Sequence, residues 1–207
     1  MAHQRVPTAW VYLASQSPRR RDLLAQWGVR AELLLPEADE DAEGLEASRP
    51  GEAPARYVQR VTRLKLAAAL ARLQRRQLPD GPVLCADTTV ALGREILGKP
   101  ESADDACRML EALAGRRHRV LTSVAVGHRG QVWQALSRSD VEFGEWTPAD
   151  IRRYVDTGEP MGKAGAYGVQ GLAGLWIRRI HGSYTGIMGL PAFETAQVLR
   201  AAGLHLL

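Results

Sequence analysis

Three arginines stand at the predicted start of a helix, where positive charge is unusual. The stretch L-A-S-Q-S-P-R-R-R ends at Arg21, and Ser17 and Pro18 suit the N-cap and the first helical position. Cations in the first turn oppose the positive end of the helix dipole, so an anion is expected nearby. Guanidinium groups, the hydroxyls of Ser15 or Ser17 and free backbone N–H groups could bind a phosphate chain. A surface cap with solvated arginines explains the residues equally well, because no P-loop or dinucleotide pattern is present.

A carboxylate follows an apolar strand in the stretch A-D-T-T-V, Ala86 to Val90. Asp87 and Thr88 are therefore predicted at the end of that strand, a position where α/β active sites are commonly built. A turn that satisfies Asp87 locally is the alternative. In the stretch I-L-G-K-P, a glycine and a proline restrain Lys99, whose ammonium could face phosphate or solvent.

A glycine recurs at every third position in G-K-A-G-A-Y-G-V-Q-G, Gly162 to Gly171. The run is too short for collagen, so its glycines are expected to allow a sharp turn or close approach of a ligand. Gln170 presents an amide donor and acceptor side by side, which suits one edge of a nucleobase. The later stretch H-G-S-Y-T-G-I-M-G-L-P predicts a tight connection into the last helix. Its His181 is interpreted as structural, because no second ligand forms a transition-metal site with it.

The elements that would position these motifs alternate between strands and helices. The predicted strands are Trp10 to Ala14, Val83 to Ala86, a segment from Thr89 that turns at Gly93-Arg94 toward Leu97, Val120 to Val126, Trp133 to Phe143 and Leu175 to Ile180. The predicted helices are Pro18 to Trp27, Ala55 to Gln74, one from Ser102 to Gly115, one from Thr147 to Gly158, and Pro191 to Ala202. Because the order lacks simple βαβ regularity, we predict an α/β fold with a mixed central sheet.

Composition narrows the class of protein. A chain of 207 residues with 45% hydrophobic composition can bury the core of one domain. Cys85 and Cys107 are too few for a disulfide framework and are interpreted as buried side chains in a reducing cytosol. Neither a signal peptide nor a run of ~20 apolar residues is evident, so a cytoplasmic protein without a membrane partner is expected. The acidic stretch Pro36 to Pro54 is predicted to be a long loop.

Five motifs in this order resemble the Maf family, within the house-cleaning nucleotide pyrophosphatases: S-Q-S-P-R-R, A-D-T-T-V, L-G-K-P, G-K-A-G-A-Y-G-V-Q-G and G-S-Y-T-G-I-M-G-L-P. The likeness runs from Val11 to Leu199. It implies an elongated, twisted mixed β-sheet flanked by helices, as in ITPase-like proteins, in one domain over residues 1–207 with two lobes around a central cleft. It also implies hydrolysis of dTTP and UTP, or modified pyrimidine nucleotides, to the monophosphate and pyrophosphate.

Catalytic roles are carried over from the same resemblance. Asp87 matches the general base, and Lys65 and Lys99 match charge stabilisers. Glu40 matches the family's metal-side carboxylate, so Glu40 and Asp87 would hold a divalent cation, Mg²⁺ or Mn²⁺. Hard cations of this kind prefer oxygen ligands. Whether Asp87 takes the proton or holds the ion is left open at this point.

Substrate-binding roles follow in the same way. Ser15, Arg19 and Arg20 match phosphate binders of the family. Arg19, Thr88 and Gln170 match the branch that acts on dTTP and UTP. The branch that acts on methylated GTP typically has Trp in place of Arg19 and Gln in place of Thr88. The expected partner is therefore a pyrimidine nucleoside triphosphate, and the oligomeric state, with a homodimer among the options, is left open.

The sequence leaves two other classes of function open. The family was named for an effect on cell division, so the cleft could belong to a non-catalytic nucleotide sensor or to a protein that binds a septation partner. The formal net charge of +4 raises RNA binding as the second alternative. Aromatic residues are only 6% of the chain, so stacking platforms for bases are scarce and no nucleic-acid partner is expected.

Overall fold

The computed structural model describes residues 9–37, 40–41 and 44–206 of the chain. The strands in this part are β1 (Trp10–Leu13), β2 (Arg30–Leu33), β3 (Val83–Leu92), β4 (Glu95–Leu97), β5 (Arg117–His128), β6 (Gln131–Phe143) and β7 (Ile177–His181). The α-helices are α1 (Pro18–Gln26), α2 (Pro54–Arg75), α3 (Ala103–Leu113), α4 (Pro148–Asp156), α5 (Tyr184–Met188) and α6 (Ala192–Ala201). Single 3-10 segments cover Gly44–Glu46, Ala164–Ala166 and Leu172–Trp176.

One mixed sheet contains the seven strands of the described residues. Its order is β2-β1-β3-β5-β6-β7, and β4 pairs with β3 outside this path. β1 runs parallel to β2 and β3, whereas the β3, β5, β6 and β7 pairs are antiparallel. The predicted α/β class with a mixed central sheet is therefore confirmed.

The element boundaries agree with the sequence predictions in most places. The five predicted helices are present and end close to the expected residues, while β5 and β6 are longer than predicted. β2 was missed because its residues R-A-E-L lack hydrophobic alternation and are mostly exposed. The connection before the last helix contains the short helix α5, whose N-cap Ser183 accepts a hydrogen bond from the Gly186 N–H.

The prediction that Asp87 and Thr88 follow the end of a strand is wrong. β3 continues through both residues to Leu92, because its pairing with the neighbouring β5 extends from Val83 to Ala91. In this ladder Asp87 lies opposite Ser123 and Thr88 lies opposite Thr122. Successive side chains of a strand point to opposite faces, so Asp87 and Thr88 start from opposite faces of the sheet.

Helices cover both faces of β3. Cys85 faces α2, where it belongs to one buried cluster with Leu66. Leu84 faces the other way and packs with Leu24 of α1 and Leu199 of α6. A third cluster packs α3, α4 and the glycine-rich segment, Gly162 to Gly171, against the rest of the sheet. The division of a single domain into two lobes stays a prediction.

Two further expectations concern burial and membranes. Cys85 and Cys107 are buried and free, which confirms their interpretation as small buried side chains. Among the helices that the structure describes, none combines the length and the apolar character that crossing a bilayer requires.

Candidate active site

A cavity of about 750 Å³ lies where segments distant in sequence meet. Its walls come from the β1–α1 junction, the acidic segment after β2, the middle of α2, β3, and the glycine-rich segment before β7. Six cationic and four acidic side chains line it: Arg19, Arg20, Lys65, Arg72, Lys99, Lys163, Glu40, Asp41, Glu46 and Asp87. The resulting net positive charge favours an anionic ligand.

Eight of the nine site residues predicted from the sequence line this cavity: Ser15, Arg19, Arg20, Glu40, Lys65, Asp87, Thr88 and Lys99. The ninth, Gln170, is exposed and lies outside the lining. Its side-chain oxygen is 3.7 Å from the point where a Cβ at Gly168 would lie, and the Lys163 side chain is 3.2 Å from that point. Since Lys163 lines the cavity, Gln170 stands beside its wall.

Asp87 is the most buried carboxylate at the centre of the site, with 9% of its surface exposed. Its Oδ1 accepts a hydrogen bond from Lys65 Nζ at 2.5 Å, and the same ammonium donates to Glu46 Oε1 at 2.7 Å. The other carboxylate oxygen of Glu46 is 3.4 Å from Lys99 Nζ. These four side chains therefore form a chain of alternating charge, Asp87–Lys65–Glu46–Lys99.

Neighbouring charges favour the ionised forms of the two middle members of this chain, Lys65 and Glu46. Burial opposes the charge of Lys65, but Asp87 and Glu46 outweigh burial and raise the pKa of its ammonium. Burial likewise opposes the charge of Glu46, but Lys65 and Lys99 outweigh it and lower the pKa of that carboxyl group. Sequence reasoning missed Glu46, because a glutamate in an acidic stretch carries no local signal of contact with two distant lysines.

Glu40 lies in the cavity wall but is bound to arginines. Its carboxylate accepts a hydrogen bond from Arg72 Nε at 2.8 Å and another from Arg75 at 2.6 Å. The Arg72 hydrogen bond outweighs burial and lowers the pKa of Glu40 to about 2. Within the described part of the chain, no hydrogen bond or ion pair joins Glu40 to Lys65 or Asp87. The structure thus places Glu46, rather than Glu40, in contact with the lysine that holds Asp87.

Arg20 connects the start of α1 to the far side of the cavity. Its Nε donates to the Gly189 carbonyl at 2.8 Å, and its terminal nitrogens donate to Ser15 Oγ at 2.9 Å and Thr88 Oγ1 at 3.3 Å. Thr88 Oγ1 also lies 3.0 Å from Thr122 Oγ1. This network orients Arg20, whose pKa is lowered by burial, without a carboxylate partner among the described residues.

The predicted helix start is confirmed in position and corrected in one detail. Ser17 is the N-cap of α1 and Pro18 follows it, but the Ser17 side chain makes no capping hydrogen bond. Instead, Ser15 Oγ accepts from the Ser17 N–H at 3.2 Å. Arg19 donates to the Met188 carbonyl at 3.3 Å, so its guanidinium lies against α5 on the cavity wall.

The glycine-rich segment owes part of its composition to packing on the sheet. Gly165 has φ of 68°, and a Cβ there would lie 2.8 Å from Val90 Cγ1. Its N–H donates to the Gly98 carbonyl at 2.9 Å. Backbone conformation and contact with β3 therefore both require glycine at this position.

We expect Gly165→Ala to lower the free energy of unfolding by about 2–5 kcal/mol, since a left-handed backbone costs about 1–2 kcal/mol and an overpacked contact about 1–3 kcal/mol. Gly162→Ala is the matched control, because Gly162 has φ of 72° but no atom within 4 Å of its added Cβ. Urea unfolding of both variants measures the difference. Equal losses of unfolding free energy in the two variants would show that the contact with Val90 does not affect stability.

A buried contact between two aromatic side chains supports the glycine-rich segment. His118 Nε2 lies 2.8 Å from the Tyr167 hydroxyl, and both residues are buried. Burial lowers the pKa of His118 to about 4, so its imidazole is neutral near pH 7. The His118–Tyr167 pair therefore holds a residue of the cavity wall without adding charge to it.

Comparison with known proteins decides the family. A family model described as Maf-like protein matches residues 10–202. This chain belongs to the Maf family. Relatives named dTTP/UTP pyrophosphatase include one from Albidiferax ferrireducens, 61% identical over 94% of this chain and 97% of the relative. Another, from Cupriavidus pinatubonensis, is 61% identical over 95% and 98% of the two chains.

A solved structure, that of the Staphylococcus aureus Ham1 protein, is more distantly similar to this Maf chain. It is 14% identical and covers 65% of this chain and 71% of its own, with a TM-score of 0.43.

The oxygen donors of the Maf site determine what kind of metal ion it fits. Within residues 9–37, 40–41 and 44–206, no group of three or more His, Cys, Asp or Glu side chains is arranged to hold an ion. Mg²⁺ usually binds one or two carboxylates, together with substrate phosphates and water. Asp87, which Lys65 separates from Glu46 in the charge chain, therefore fits an ion that is shared with the substrate, and not a site built from protein alone.

Proposed function

We propose that this Maf protein hydrolyses dTTP and UTP to the nucleoside monophosphate and pyrophosphate. The observation that carries the proposal is one cavity in which a buried, lysine-bound carboxylate, Asp87, faces the same space as Arg19 and Arg20. Relatives about 60% identical to the chain bear the name dTTP/UTP pyrophosphatase, which supports the choice of substrate.

Asp87 acts as the general base in this proposal. Water attacks the α-phosphorus, its proton passes to the Asp87 carboxylate, and the bond to the bridging oxygen breaks as diphosphate leaves. Lys65 fixes the carboxylate oxygen through the 2.5 Å hydrogen bond. Cations that are already in place stabilise the charge that develops on the phosphate oxygens, which is usually the largest contribution in such sites.

A divalent ion would be held by Asp87 and substrate oxygens. Mg²⁺ or Mn²⁺ would supply a Lewis acid that neutralises phosphate charge and makes water more acidic. Glu40, the second carboxylate that the family resemblance implies, could take part only after its ion pair with Arg72 opens. Glu46 could help to hold the ion after Lys65 breaks its ion pair with Glu46 and keeps only the one with Asp87.

The direct test is a panel of ordinary and modified nucleoside triphosphates assayed with Mg²⁺ and Mn²⁺. Pyrophosphate is detected through added inorganic pyrophosphatase, and the nucleotide product is identified by chromatography. We expect dTTP and UTP to be cleaved to monophosphates faster than purine triphosphates. Binding of nucleotide without any cleavage would instead support a nucleotide sensor. Release of single phosphates from the nucleotide would exclude cleavage at the α-phosphorus.

Gln170 is proposed to read the base from the edge of the cavity. Its amide can donate to a carbonyl oxygen and accept from a ring N–H, and uracil and thymine present these groups side by side. We expect Gln170→Glu to lower kcat/KM for UTP and dTTP about 10-fold, since an unsatisfied hydrogen bond costs about 1–3 kcal/mol. The loss for CTP should be smaller, because its amino group can donate to a carboxylate.

Steady-state kinetics with all three nucleotides measures this effect. Gln131→Glu adds the same charge at an exposed residue of β6 and serves as the control. Equal losses for UTP and CTP in the Gln170 variant would remove Gln170 from base recognition.

A further inference from the structure

A half-buried carboxylate, Glu159, contacts the glycine-rich segment close to Gln170. Its Oε2 accepts a hydrogen bond from the Leu172 N–H at 3.0 Å, and its Oε1 accepts one from the Tyr154 hydroxyl at 3.0 Å. Burial, and then the hydrogen bond to Glu159, raise the pKa of Tyr154, so its hydroxyl stays protonated and donates. The carboxylate therefore joins the last turn of α4 to the residue two positions after Gln170.

The stretch that Glu159 contacts is exposed. Residues 170–172 lie at the surface, whereas Val169 and Ala173, which flank them, are buried in the cluster around α3 and α4. Among the described residues, the hydrogen bond from the Leu172 N–H to Glu159 is the one bond that joins this stretch to a side chain outside it. Glu159 thus limits where the exposed stretch lies against α4.

Glycine at position 171 leaves room for the carboxylate. The backbone of Gly171 is extended, with φ of −101°, so residues with a side chain can adopt it. A Cβ there would nevertheless lie 2.1 Å from Glu159 Oε1, and the three atoms nearest to it all belong to the Glu159 carboxylate. Alanine at 171 would therefore push that carboxylate away from its partners without any change to Glu159 itself.

We propose that Glu159 is a positioning residue for base recognition, whose carboxylate holds the exposed stretch so that the Gln170 amide meets the carbonyl and ring N–H of uracil or thymine. This inference rests on the proposed function, in which Gln170 reads the base. A base reader on an exposed stretch binds more tightly when its direction is fixed in advance, because ordering a loop costs binding free energy. Glu159 is not among the residues that line the cavity, so it acts through Gln170 and not on the reacting atoms.

The test compares recognition of uracil and cytosine in wild-type protein, Glu159→Ala and Gly171→Ala. Kinetics are measured with UTP and CTP, and UMP and CMP are titrated by calorimetry. We expect both variants to lower kcat/KM for UTP about 5–10-fold, close to the effect of losing the Gln170 hydrogen bonds. The loss should lie in KM, with kcat within ~2-fold, because the base contacts bind substrate and transition state alike. CTP should change less than ~2-fold, since its base does not match the Gln170 amide.

Two further variants test whether Glu159 acts through its hydrogen bonds and through Gln170. Glu159→Gln should restore most of the discrimination, because its amide oxygen can accept from the Leu172 N–H and its amide nitrogen can donate to the Tyr154 oxygen. In Gln170→Glu protein, adding Glu159→Ala should lower kcat/KM for UTP by less than ~2-fold, because residues that act together are not additive. Hydrogen exchange of the Leu172 amide should be faster in Glu159→Ala and near the wild-type rate in Glu159→Gln.

Asp150→Ala is the matched control for a destabilised α4. The Asp150 carboxylate accepts from the Thr147 hydroxyl at 2.6 Å in the capping box at the other end of the helix, and Asp150 is not among the cavity-lining residues. This variant should lower the midpoint of thermal unfolding and keep the wild-type ratio of UTP to CTP activity. If Glu159→Ala does not fold, Gly171→Ala still displaces the carboxylate and decides the question.

Three outcomes would overturn the inference. An unchanged ratio of UTP to CTP activity in the folded variants would remove Glu159 from base recognition. An equal fall of that ratio in Asp150→Ala would mean that only the stability of α4 matters. A kcat that falls as far as kcat/KM would mean that Glu159 affects the chemical step and not the base. Wild-type protein that cleaves neither dTTP nor UTP would refute the proposed function, whereas UMP and CMP affinities and Leu172 exchange, which need no turnover, would still decide the role of Glu159.

Discussion

Asp87→Asn should lower kcat for dTTP and UTP at least ~100-fold, since general bases typically contribute that much to turnover. The substitution keeps the size of the side chain and removes its charge, so the carboxylate that would accept the proton is lost. Lys65 loses a charged partner at 2.5 Å, although the amide oxygen of Asn can still accept its hydrogen bond, and it keeps Glu46 at 2.7 Å. We therefore expect the lysine to stay in place and the fold to survive.

The measurement combines initial rates with thermal unfolding. Asp140→Asn is the control, because Asp140 pairs with Arg117 on β5 and is not among the lining residues of the cavity. That variant should retain wild-type turnover. A folded Asp87→Asn protein with near-normal kcat would remove Asp87 from the mechanism.

Removal of divalent metal should abolish hydrolysis altogether, and Mg²⁺ or Mn²⁺ should restore it. The cavity offers carboxylate oxygens at Asp87 and Glu46 but, among the described residues, no cluster of soft or nitrogen ligands. Such donors suit hard cations that are bound together with substrate phosphates. The net positive charge of the cavity can attract the triphosphate, but attack on phosphorus still requires an acidified water.

Activity is measured in metal-free buffer with excess EDTA and again after titration with each cation. Ca²⁺ and Zn²⁺ serve as comparisons for ion size and ligand preference. Binding of Mn²⁺ with and without dTMP, followed by electron paramagnetic resonance, gives a readout that does not depend on turnover. Full activity in EDTA would show that the arginines and lysines are sufficient.

Local chemistry determined much of what the sequence could predict. Ser102 caps α3 through the Asp105 N–H, and Thr147 with Asp150 forms a capping box at the start of α4. These contacts join residues three positions apart, so the sequence contains all the information that they require. The motif residues of the cavity were likewise identified from residue types and from a family resemblance.

Pairing between distant strands was beyond the reach of local reasoning. An Asp-Thr-Thr run looks like the end of a strand, since Asp is disfavoured in sheets. The ladder between β3 and β5 nevertheless continues through Asp87, because the adjacent strand places Ser123 opposite it and pairs with β3 on both sides of that position. That outcome depends on Ser123, which the strand register places opposite Asp87 although it lies 36 positions away in the sequence.

Charge partners were decided only by the tertiary structure. Each acidic side chain after β2 could reach several cations, and the sequence gives no distance between them. The fold brings Glu46 to Lys65 and Lys99 and takes Glu40 to Arg72. The sequence by itself determined which residues could do phosphate chemistry, because chemistry belongs to residue types. The tertiary structure decided which of them meet, because electrostatic energy depends on separations that only the folded chain sets.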